Sequence, residues 1–450
     1  MRKKQKLLLI IVTGFVVFLF RTYPANSQST RIDSNNYVID TYNGLQLGSL
    51  RVVSLGGAYT AIAERSQGIE ANPASVAQRV WYSQYLFDYD VGYAYLKPGL
   101  FVGEDMDYDN DKDRSFDYSN FIAGVLFASL RAGSAGGGGT TKIQRYILVD
   151  GSGRQANVWH GTVDVAFGYN FKQDFIVAGV GLQFDFLNIH VQEMKNNSLG
   201  FLYAGAIGGI LFRIKRIPLR IGASIHLPMP GVHKMWDYGV VECTKQNGST
   251  IKKILSGENC SSEGLAIPNG ISHPWTFRLG FAWFIGKLPW NEDWNLEKRN
   301  YEYSNKVPMT DGTYAWSPWQ TEYLMGRSEI DRRYILISFD INLVGGTKDG
   351  VGMEGFLTQT WKRSTESPTV SIHGGIESEV WADRLIIRLG GYAEPSRFKR
   401  LGYRGHGTFG FDLKLFSICW GSSKMTLRGS AGLDAAPGYF NAGFSIGFWK

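Results

Sequence analysis

The chain has 450 residues, of which 55 are glycine, 27 phenylalanine, 23 tyrosine and 13 tryptophan. Its formal net charge is +7, but the first 27 residues hold five bases and no acid, which leaves 42 basic against 40 acidic residues. This balance gives no reason to expect a nucleic-acid partner.

The first 27 residues have the organisation of a secretory signal peptide. A basic start is followed by an apolar run over 7–20, and Ala25-Asn26-Ser27 supplies small residues at the cleavage position. The alternative, a membrane anchor, needs ~20 apolar residues. No cysteine follows the run, so a lipoprotein anchor is not expected. Export, abundant glycine and aromatic residues, and no later apolar segment of spanning length are typical of an outer-membrane β-barrel.

The next segment, residues 40–79, is dense in Gly, Ala and Ser and ends near Asn72-Pro73. Small residues allow a compact segment to pack closely inside another structure, and Asn-Pro favours an extended or turn conformation. A helical hairpin in an ordinary globular domain is the alternative interpretation of this stretch.

Two motifs in this segment carry a family resemblance. LGGAYTAIA at Leu55–Ala63 and NPAS at Asn72–Ser75 resemble the amino-terminal signature of the FadL/OMPP1/TodX family of outer-membrane transporters for hydrophobic compounds. The related PorV-like proteins of type IX secretion share that signature. Where the family usually has acidic residues, this chain has Glu64-Arg65-Ser66. Similar patterns continue through 274–284, 338–344 and 374–396.

The resemblance implies a domain organisation. The signal peptide would occupy 1–27, a hatch or plug segment 28–78, and a transmembrane antiparallel β-barrel of about 14 strands 79–450. The hatch would lie inside the barrel. Its motif residues are Leu55, Gly56, Gly57, Ala58, Asn72, Pro73 and Ala74.

Alternation of apolar with small or polar residues predicts the strands, and for the irregular first three the family resemblance contributes as well. In the last strand, Phe440, Phe444 and Ile446 share one face, opposite Asn441 and Ser445. The predicted strands cover approximately 80–96, 118–132, 140–150, 157–170, 175–190, 199–214, 217–227, 272–285, 335–343, 370–380, 385–390, 409–415, 425–433 and 438–450. The all-β alternative is a soluble sandwich whose charged faces meet water.

Ionisable residues recur on the faces opposite the apolar stripes. Each would cost several kcal/mol against hydrocarbon, so we expect these faces to line the lumen. The lumen-facing candidates are Asp164, Asp185, Arg220, Arg278, Asp340, Glu377, Arg388, Asp412 and Arg428.

If the first strand leaves the periplasm, the long connections fall outside the cell. These are 96–118, 191–198, 229–270, 345–366 and 395–402, of which 229–270 is the longest. Apolar parts at 227–236 and 356–361 are candidates for ligand capture. The same parity places the Trp- and Tyr-rich insert 287–331 on the periplasmic side, where it would dock a protein partner or act as a further plug.

Two other patterns are weaker. Asp105, Asp107 and Asp109 alternate as calcium ligands do, but the loop lacks the required Gly and the closing Glu, so a solvated acidic loop is favoured. Cys243 and Cys260 lie in one polar loop and could pair in an oxidising compartment, although spacing does not decide this.

A catalytic function is not predicted, and neither is a cofactor. His226 with Ser224 and His373 with Ser371 are neighbours that strand alternation produces by itself. The sequence contains neither G-x-S-x-G nor H-E-x-x-H.

The function that the resemblance implies is transport of hydrophobic small molecules, such as long-chain fatty acids or aromatic hydrocarbons, across the bacterial outer membrane. Loops would capture the ligand, which would then pass the hatch. The first alternative is a PorV-like scaffold or shuttle for protein secretion, and the second is a structural or adhesin barrel. Expected partners are outer-membrane lipid, the ligand, the barrel assembly machinery at the C-terminal strand, and a periplasmic protein at the insert.

Overall fold

Fourteen long antiparallel strands form a closed barrel in the computed structural model. Each strand pairs with the next in sequence, and the last pairs with the first. Their bounds are Phe87–Pro98 (β1), Asp117–Ala132 (β2), Ala135–Val149 (β3), Gln155–Phe171 (β4), Ile176–Val191 (β5), Ser198–Arg213 (β6), Leu219–Pro228 (β7), Thr276–Gly286 (β8), Tyr334–Val344 (β9), Thr369–Trp381 (β10), Leu385–Pro395 (β11), Tyr403–Trp420 (β12), Ser423–Ala436 (β13) and Tyr439–Trp449 (β14).

The structure describes most of the chain after residue 30. The described residues are 31–42, 44–78, 80, 87–100, 105–108, 117–149, 155–171, 175–191, 198–214, 217–228, 236–237, 240–245, 247–255, 260, 264–286, 290–291, 307–308, 314–315, 333–398, 402–420 and 423–449. The predicted signal peptide, Asp109 and most of the insert 287–331 lie outside them. Among the described residues, no helix has the length and apolarity needed to cross a membrane.

The two faces of the barrel wall have opposite polarity. Outward-pointing Phe167 and Val180, which are cross-strand partners, are 65% and 67% exposed. Inward-pointing Asp185, Asp340 and Glu377 are fully buried. A wall that exposes aromatic and branched apolar side chains and buries carboxylates is suited to a hydrocarbon surrounding, as in transmembrane barrels.

The predicted barrel is confirmed, because each predicted strand overlaps one observed strand and the barrel closes at fourteen. The alternation fails in β12, where a register shift occurs between Lys414 and Phe416. As a result Leu415 and Phe416 both point outward, at 44% and 50% exposure. A bulge adds one residue to a strand, so the period-two pattern changes phase there.

The two ends of the barrel differ. We call the end that carries residues 345–368 and 437–438 the long-loop end, and the end that carries 133–134 and 382–384 the short-turn end. At the long-loop end Val38–Asp40 pairs in parallel with Gly270–Ser272 and Gly350–Val351. An antiparallel sheet of Val240–Thr244, Thr250–Leu255 and Gly264–Ala266 and the helix α2 (Met353–Thr358) complete a cap.

Smaller elements accompany the barrel. Trp236–Asp237 pairs with the start of β6, and Val307–Pro308 pairs with Tyr314–Ala315. The helix α1 (Leu50–Ser54) begins at Ser49, whose hydroxyl accepts from the Val52 N–H. Short 3₁₀ turns cover Ser66–Gly68 and Pro73–Val76.

The amino-terminal segment runs through the barrel. Residues 38–40 belong to the cap, whereas the Val76 carbonyl lies against Gly136 of β3, next to the short turn at 133–134. The chain therefore passes from the long-loop end to the short-turn end before it enters β1.

Candidate functional site

Residues 44–78, which we call the inner segment, fill the lumen. They include all seven predicted motif residues, from Leu55 to Ala74. Leu55, Ala58 and Asn72 are completely buried. The arrangement of this segment against the wall is the candidate functional site, since nothing can cross the barrel without meeting it.

Glycines on the inner face of the wall allow this close packing. A Cβ on Gly222 of β7 would lie 2.2 Å from the Thr60 carbonyl oxygen, and one on Gly390 of β11 would lie 2.5 Å from the Gly56 nitrogen. Gly56 itself has a φ of +62°, a conformation that favours glycine. At these glycines the inner segment therefore packs directly against the backbone of the wall.

Sequence reasoning did not identify these wall glycines as functional. They occupy inward positions of the alternation pattern, where a small residue by itself indicates no role. The recurrence of glycine at inward positions of several strands is the signal that could have found them. They are Gly179, Gly209, Gly222, Gly280, Gly375, Gly390 and Gly410.

Polar side chains fasten the backbone of the inner segment. Asp340 of β9 accepts hydrogen bonds from the Tyr59 and Thr60 N–H groups at 2.9 and 2.8 Å. The Asn72 amide donates to the Thr60 carbonyl at 2.9 Å and to the Ile210 carbonyl of β6 at 3.1 Å, while its oxygen accepts from the Ala74 N–H. Asn72 therefore joins both halves of the segment to the wall.

Charged groups form a second connection. Arg51 donates to both oxygens of Glu377 on β10 at 2.8 Å, and it also contacts Glu64 at 3.1 Å. Glu377 binds Arg388 of β11 as well, and Glu64 binds Arg220 of β7 at 3.0 Å. Each acid is thus shared between a cation of the inner segment and one of the wall. The sequence analysis does not identify Arg51 and Glu64 as site residues, although charged residues in a stretch dominated by Gly, Ala and Ser could have indicated such a role.

The remaining predicted lumen residues also face inward. Asp185 contacts His160 at 2.8 Å, and Asp412 receives two hydrogen bonds from Arg388. The other inward positions are Asp164, which is opposite Gln183, Arg278, which donates to the Glu70 carbonyl, and Arg428, which lies 3.7 Å from Asp383. Together these nine residues build a polar inner surface, in which some charges are paired with each other, as Arg388 is with Asp412, and others contact backbone groups, as Asp340 does.

Two described residues of the insert also enter the barrel. Trp290 is buried, and the centroid of its ring lies 3.7 Å from the Arg220 guanidinium carbon. The Asn291 side chain accepts from Arg220 and donates to three wall carbonyls, including that of Leu219. These two residues close the short-turn end next to the inner segment.

A cavity, which we call the cap cavity, lies between the cap and the inner segment. Its volume is about 80 Å³, and its apolar lining residues are Leu45, Met106, Phe121, Leu187, Met353 and Phe398. Burial raises the pKa of Tyr42, which also lines it, to about 12, against the opposing effect of Arg278 and Arg397. Tyr42 is therefore a neutral phenol at ordinary pH.

A smaller cavity of about 20 Å³ lies further along the inner segment. Both cavities border the inner face of β2, since Phe121 lines the first and Val125 and Phe127 line the second. They mark a discontinuous space between β2 and the inner segment.

Other predicted sites have these outcomes. Cys243 and Cys260 form a disulfide within the cap. Asp105 and Asp107 are described, but no group of three or more His, Cys, Asp or Glu side chains among the described residues is arranged to hold a metal ion.

The predicted capture segment 356–361 does not present its apolar residues to solvent. Phe356 and Leu357 are buried in the cap, because α2 turns them toward its core.

The two Ser-His neighbours serve the packing of the inner segment. Ser371 contacts His373 Nε2 at 2.8 Å, but His373 Nδ1 is 2.6 Å from the Gly56 carbonyl oxygen rather than from an acid. Ser224 donates to the Ala71 carbonyl at 2.6 Å. Neither pair has the serine, base and orienting acid of a hydrolase.

Comparison with known proteins shows similarity at the level of structure. The sequence matches no protein-family model, and no curated protein matches it. The CymD monoaromatic hydrocarbon channel has a TM-score of 0.50 at 10% identity, covering 91% of this chain and 98% of that one. A Pseudomonas aeruginosa FadL homologue has a TM-score of 0.48 at 9% identity, covering 92% and 99%. The Ralstonia pickettii toluene transporter TbuX has 0.49 at 10%, covering 90% and 98%.

Sequence identities of 9–10% are too low to transfer a function, whereas the TM-score of 0.50 with the CymD channel shows a similar fold. The predicted resemblance to FadL- and TodX-type barrels is confirmed for the fold, and so is the multi-pass barrel architecture of outer-membrane proteins.

Proposed function

We propose that this barrel carries small hydrophobic molecules across the outer membrane. The observation that supports this most directly is the cap cavity, a space between the cap and the inner segment whose lining includes apolar residues such as Leu45, Phe121 and Leu187. The CymD channel, which shares the fold, is described as a channel for monoaromatic hydrocarbons. Transfer of an apolar molecule out of water lowers the free energy, so the apolar part of the cap cavity would concentrate such molecules.

Passage would follow the inner face of β2. The cap cavity and the smaller cavity both border this strand, so a modest displacement of the inner segment would join them. The contacts that resist displacement include hydrogen bonds and ion pairs to the wall, such as those of Arg51 and Asn72, and the apolar cluster that Leu55 and Ile62 form with wall residues such as Phe284. The ligand would therefore cross beside the inner segment while the barrel itself stays closed.

The test is uptake of radiolabelled toluene by deletion cells and by cells complemented with the wild-type chain. Leu187→Trp fills the cap cavity, whereas Leu182→Trp places the same ring on the outer face of the same strand. We expect uptake to require the wild-type chain, to fall with Leu187→Trp and to be retained with Leu182→Trp. Equal uptake by deletion and complemented cells would reject transport of this compound class.

The secretion scaffold and the structural barrel stay alternatives. Neither of these functions needs a cavity with apolar lining residues beside the inner segment, so the cap cavity favours transport. Recognition of β14 by the barrel assembly machinery and docking of a periplasmic protein at 287–331 also stay predictions.

A further inference from the structure

Arg220 of β7 connects the insert to the inner segment. Its Nε donates to the Asn291 side-chain oxygen at 3.0 Å, and its Nη2 donates to the Trp290 carbonyl at 3.3 Å. Its Nη1 donates to the Ile62 carbonyl at 3.2 Å and to Glu64 at 3.0 Å. The guanidinium is completely buried, so two of its nitrogens are satisfied by the insert and the third by the inner segment.

The contact with Glu64 reaches the second half of the inner segment. Glu64 is followed by Arg65, whose N–H donates to the Ser75 carbonyl at 3.1 Å. Ser75 is completely buried and packs against Gly68, so it is covered by the inner segment itself. A displacement of residues 62–64 would therefore also separate the two halves of the segment at Ser75.

The insert residues stabilise the contact between Arg220 and the inner segment. If Trp290 and Asn291 left the short-turn end, Nε and Nη2 of Arg220 would lose the acceptors that they have in the structure. A buried cation without acceptors is costly, so water would enter the vacated space and hydrate the guanidinium. Water beside the ion pair would also weaken the attraction between Arg220 and Glu64, because it raises the local dielectric constant. Withdrawal of the insert residues would thus loosen the inner segment.

We propose that Arg220 is a positioning residue that couples Trp290 and Asn291 of the insert to the inner segment, so that withdrawal of these two residues from the short-turn end releases the segment. This inference rests on the proposed transport function only for its consequence, which is easier passage of a ligand beside the inner segment. The coupling itself is measured without a ligand.

The test measures how fast a cysteine buried in the inner segment reacts. Ser75→Cys supplies the cysteine, and Cys419→Ala removes the native cysteine that is not part of the disulfide. The full-length chain is reconstituted in lipid nanodiscs and treated with a membrane-impermeant maleimide, and labelling is followed by mass spectrometry. Because Gly68 covers position 75, labelling reports separation within the segment and not the space left by the insert residues.

A double-variant cycle distinguishes coupling from a general loss of stability. We expect Asn291→Ala and Arg220→Met each to accelerate labelling at position 75 about tenfold. The double variant should stay within about twofold of the faster single variant, because both substitutions interrupt the same connection. Two independent losses of stability would instead multiply to about 100-fold. The matched control Asn269→Ala removes an exposed asparagine contact in the cap and should leave the rate within about twofold of the wild type.

Heat-modifiable gel mobility shows that each variant barrel is assembled. If Arg220→Met fails this control, Glu64→Gln takes its place in the cycle, since it keeps the side-chain shape and removes the charge that Arg220 binds. With either partner, the coupling is wrong if Asn291→Ala leaves the labelling rate unchanged or if the two effects multiply fully.

Failure of this inference can be told from failure of the transport proposal. If labelling responds as expected but toluene enters complemented and deletion cells equally, the coupling stands and transport is wrong. If toluene uptake requires the chain but labelling does not respond, transport stands and the coupling is wrong. If both stand, Asn291→Ala should also raise toluene uptake above that of the wild type.

Discussion

Replacing Arg51 by Met should loosen the inner segment without opening the barrel wall. Arg51 joins Glu377 of β10 through two hydrogen bonds of 2.8 Å. Methionine keeps much of the side-chain length and removes the guanidinium. Both acids keep a cation, because Glu377 retains Arg388 and Glu64 retains Arg220.

The expected change in free energy follows from the contacts that Arg51→Met removes. Breaking a buried ion pair so that a charge is orphaned costs about 3–5 kcal/mol, and here no charge is orphaned. Three hydrogen bonds to carboxylates, two to Glu377 and one to Glu64, at about 1.5–3 kcal/mol each, set the gross loss, part of which is recovered because Arg51 no longer has to be desolvated. A net loss of about 3 kcal/mol would lower the ratio of closed to open barrels about 150-fold.

The assay is single-channel conductance in planar lipid bilayers, with liposome swelling in sugars of increasing size as a second measurement. We expect Arg51→Met to open more often and to admit larger sugars than the wild type. Retained heat-modifiable gel mobility would show that the barrel is intact. The matched control is Arg363→Met, which breaks an exposed pair with Asp349 in the cap at 3.7 Å. Conductance equal to that of the control would refute the inference that Arg51 holds the inner segment against the wall.

Three further predictions address the wall and the closing residues. Gly390→Ala places a Cβ 2.5 Å from the Gly56 nitrogen, so it should displace the inner segment and raise conductance; unchanged conductance would contradict the close packing. Trp290→Ala removes the ring over Arg220 and should lower the free energy of unfolding, measured by urea titration in lipid vesicles, by about 3 kcal/mol. Phe167→Arg puts a cation on the outer face and should cost about 2–4 kcal/mol in the same titration, whereas no loss of stability would indicate that this face does not meet hydrocarbon.

The barrel could be predicted from sequence because its main signal is local. In a strand with lipid on one side and a polar lumen on the other, alternation such as that around Phe167 and Asp164 reports the environment of each residue directly. The signal fails where the backbone changes phase, as at the bulge before Phe416.

The site was harder to predict because its contacts join distant parts of the chain. Nothing near Arg51 in sequence shows that its partner is Glu377, and nothing near Gly390 shows that Gly56 will rest against it. The cap is similar, since its parallel sheet joins strands of two or three residues around 38–40, 270–272 and 350–351. Segments this short have no periodicity to read.

The chemistry of the inner contacts bears on how a plugged barrel can still transport. Apolar surfaces pulled apart in a wet lumen lose their stabilisation in proportion to area. Separated ion pairs such as Arg51 with Glu377 regain hydration, which offsets much of the lost attraction. At glycine contacts such as that of Gly222 with Thr60, the wall and the inner segment approach each other closely, because no glycine side chain lies between their backbones. The inner segment is thus fixed in position partly by groups that water can solvate when the segment shifts, and passage beside it requires such a shift.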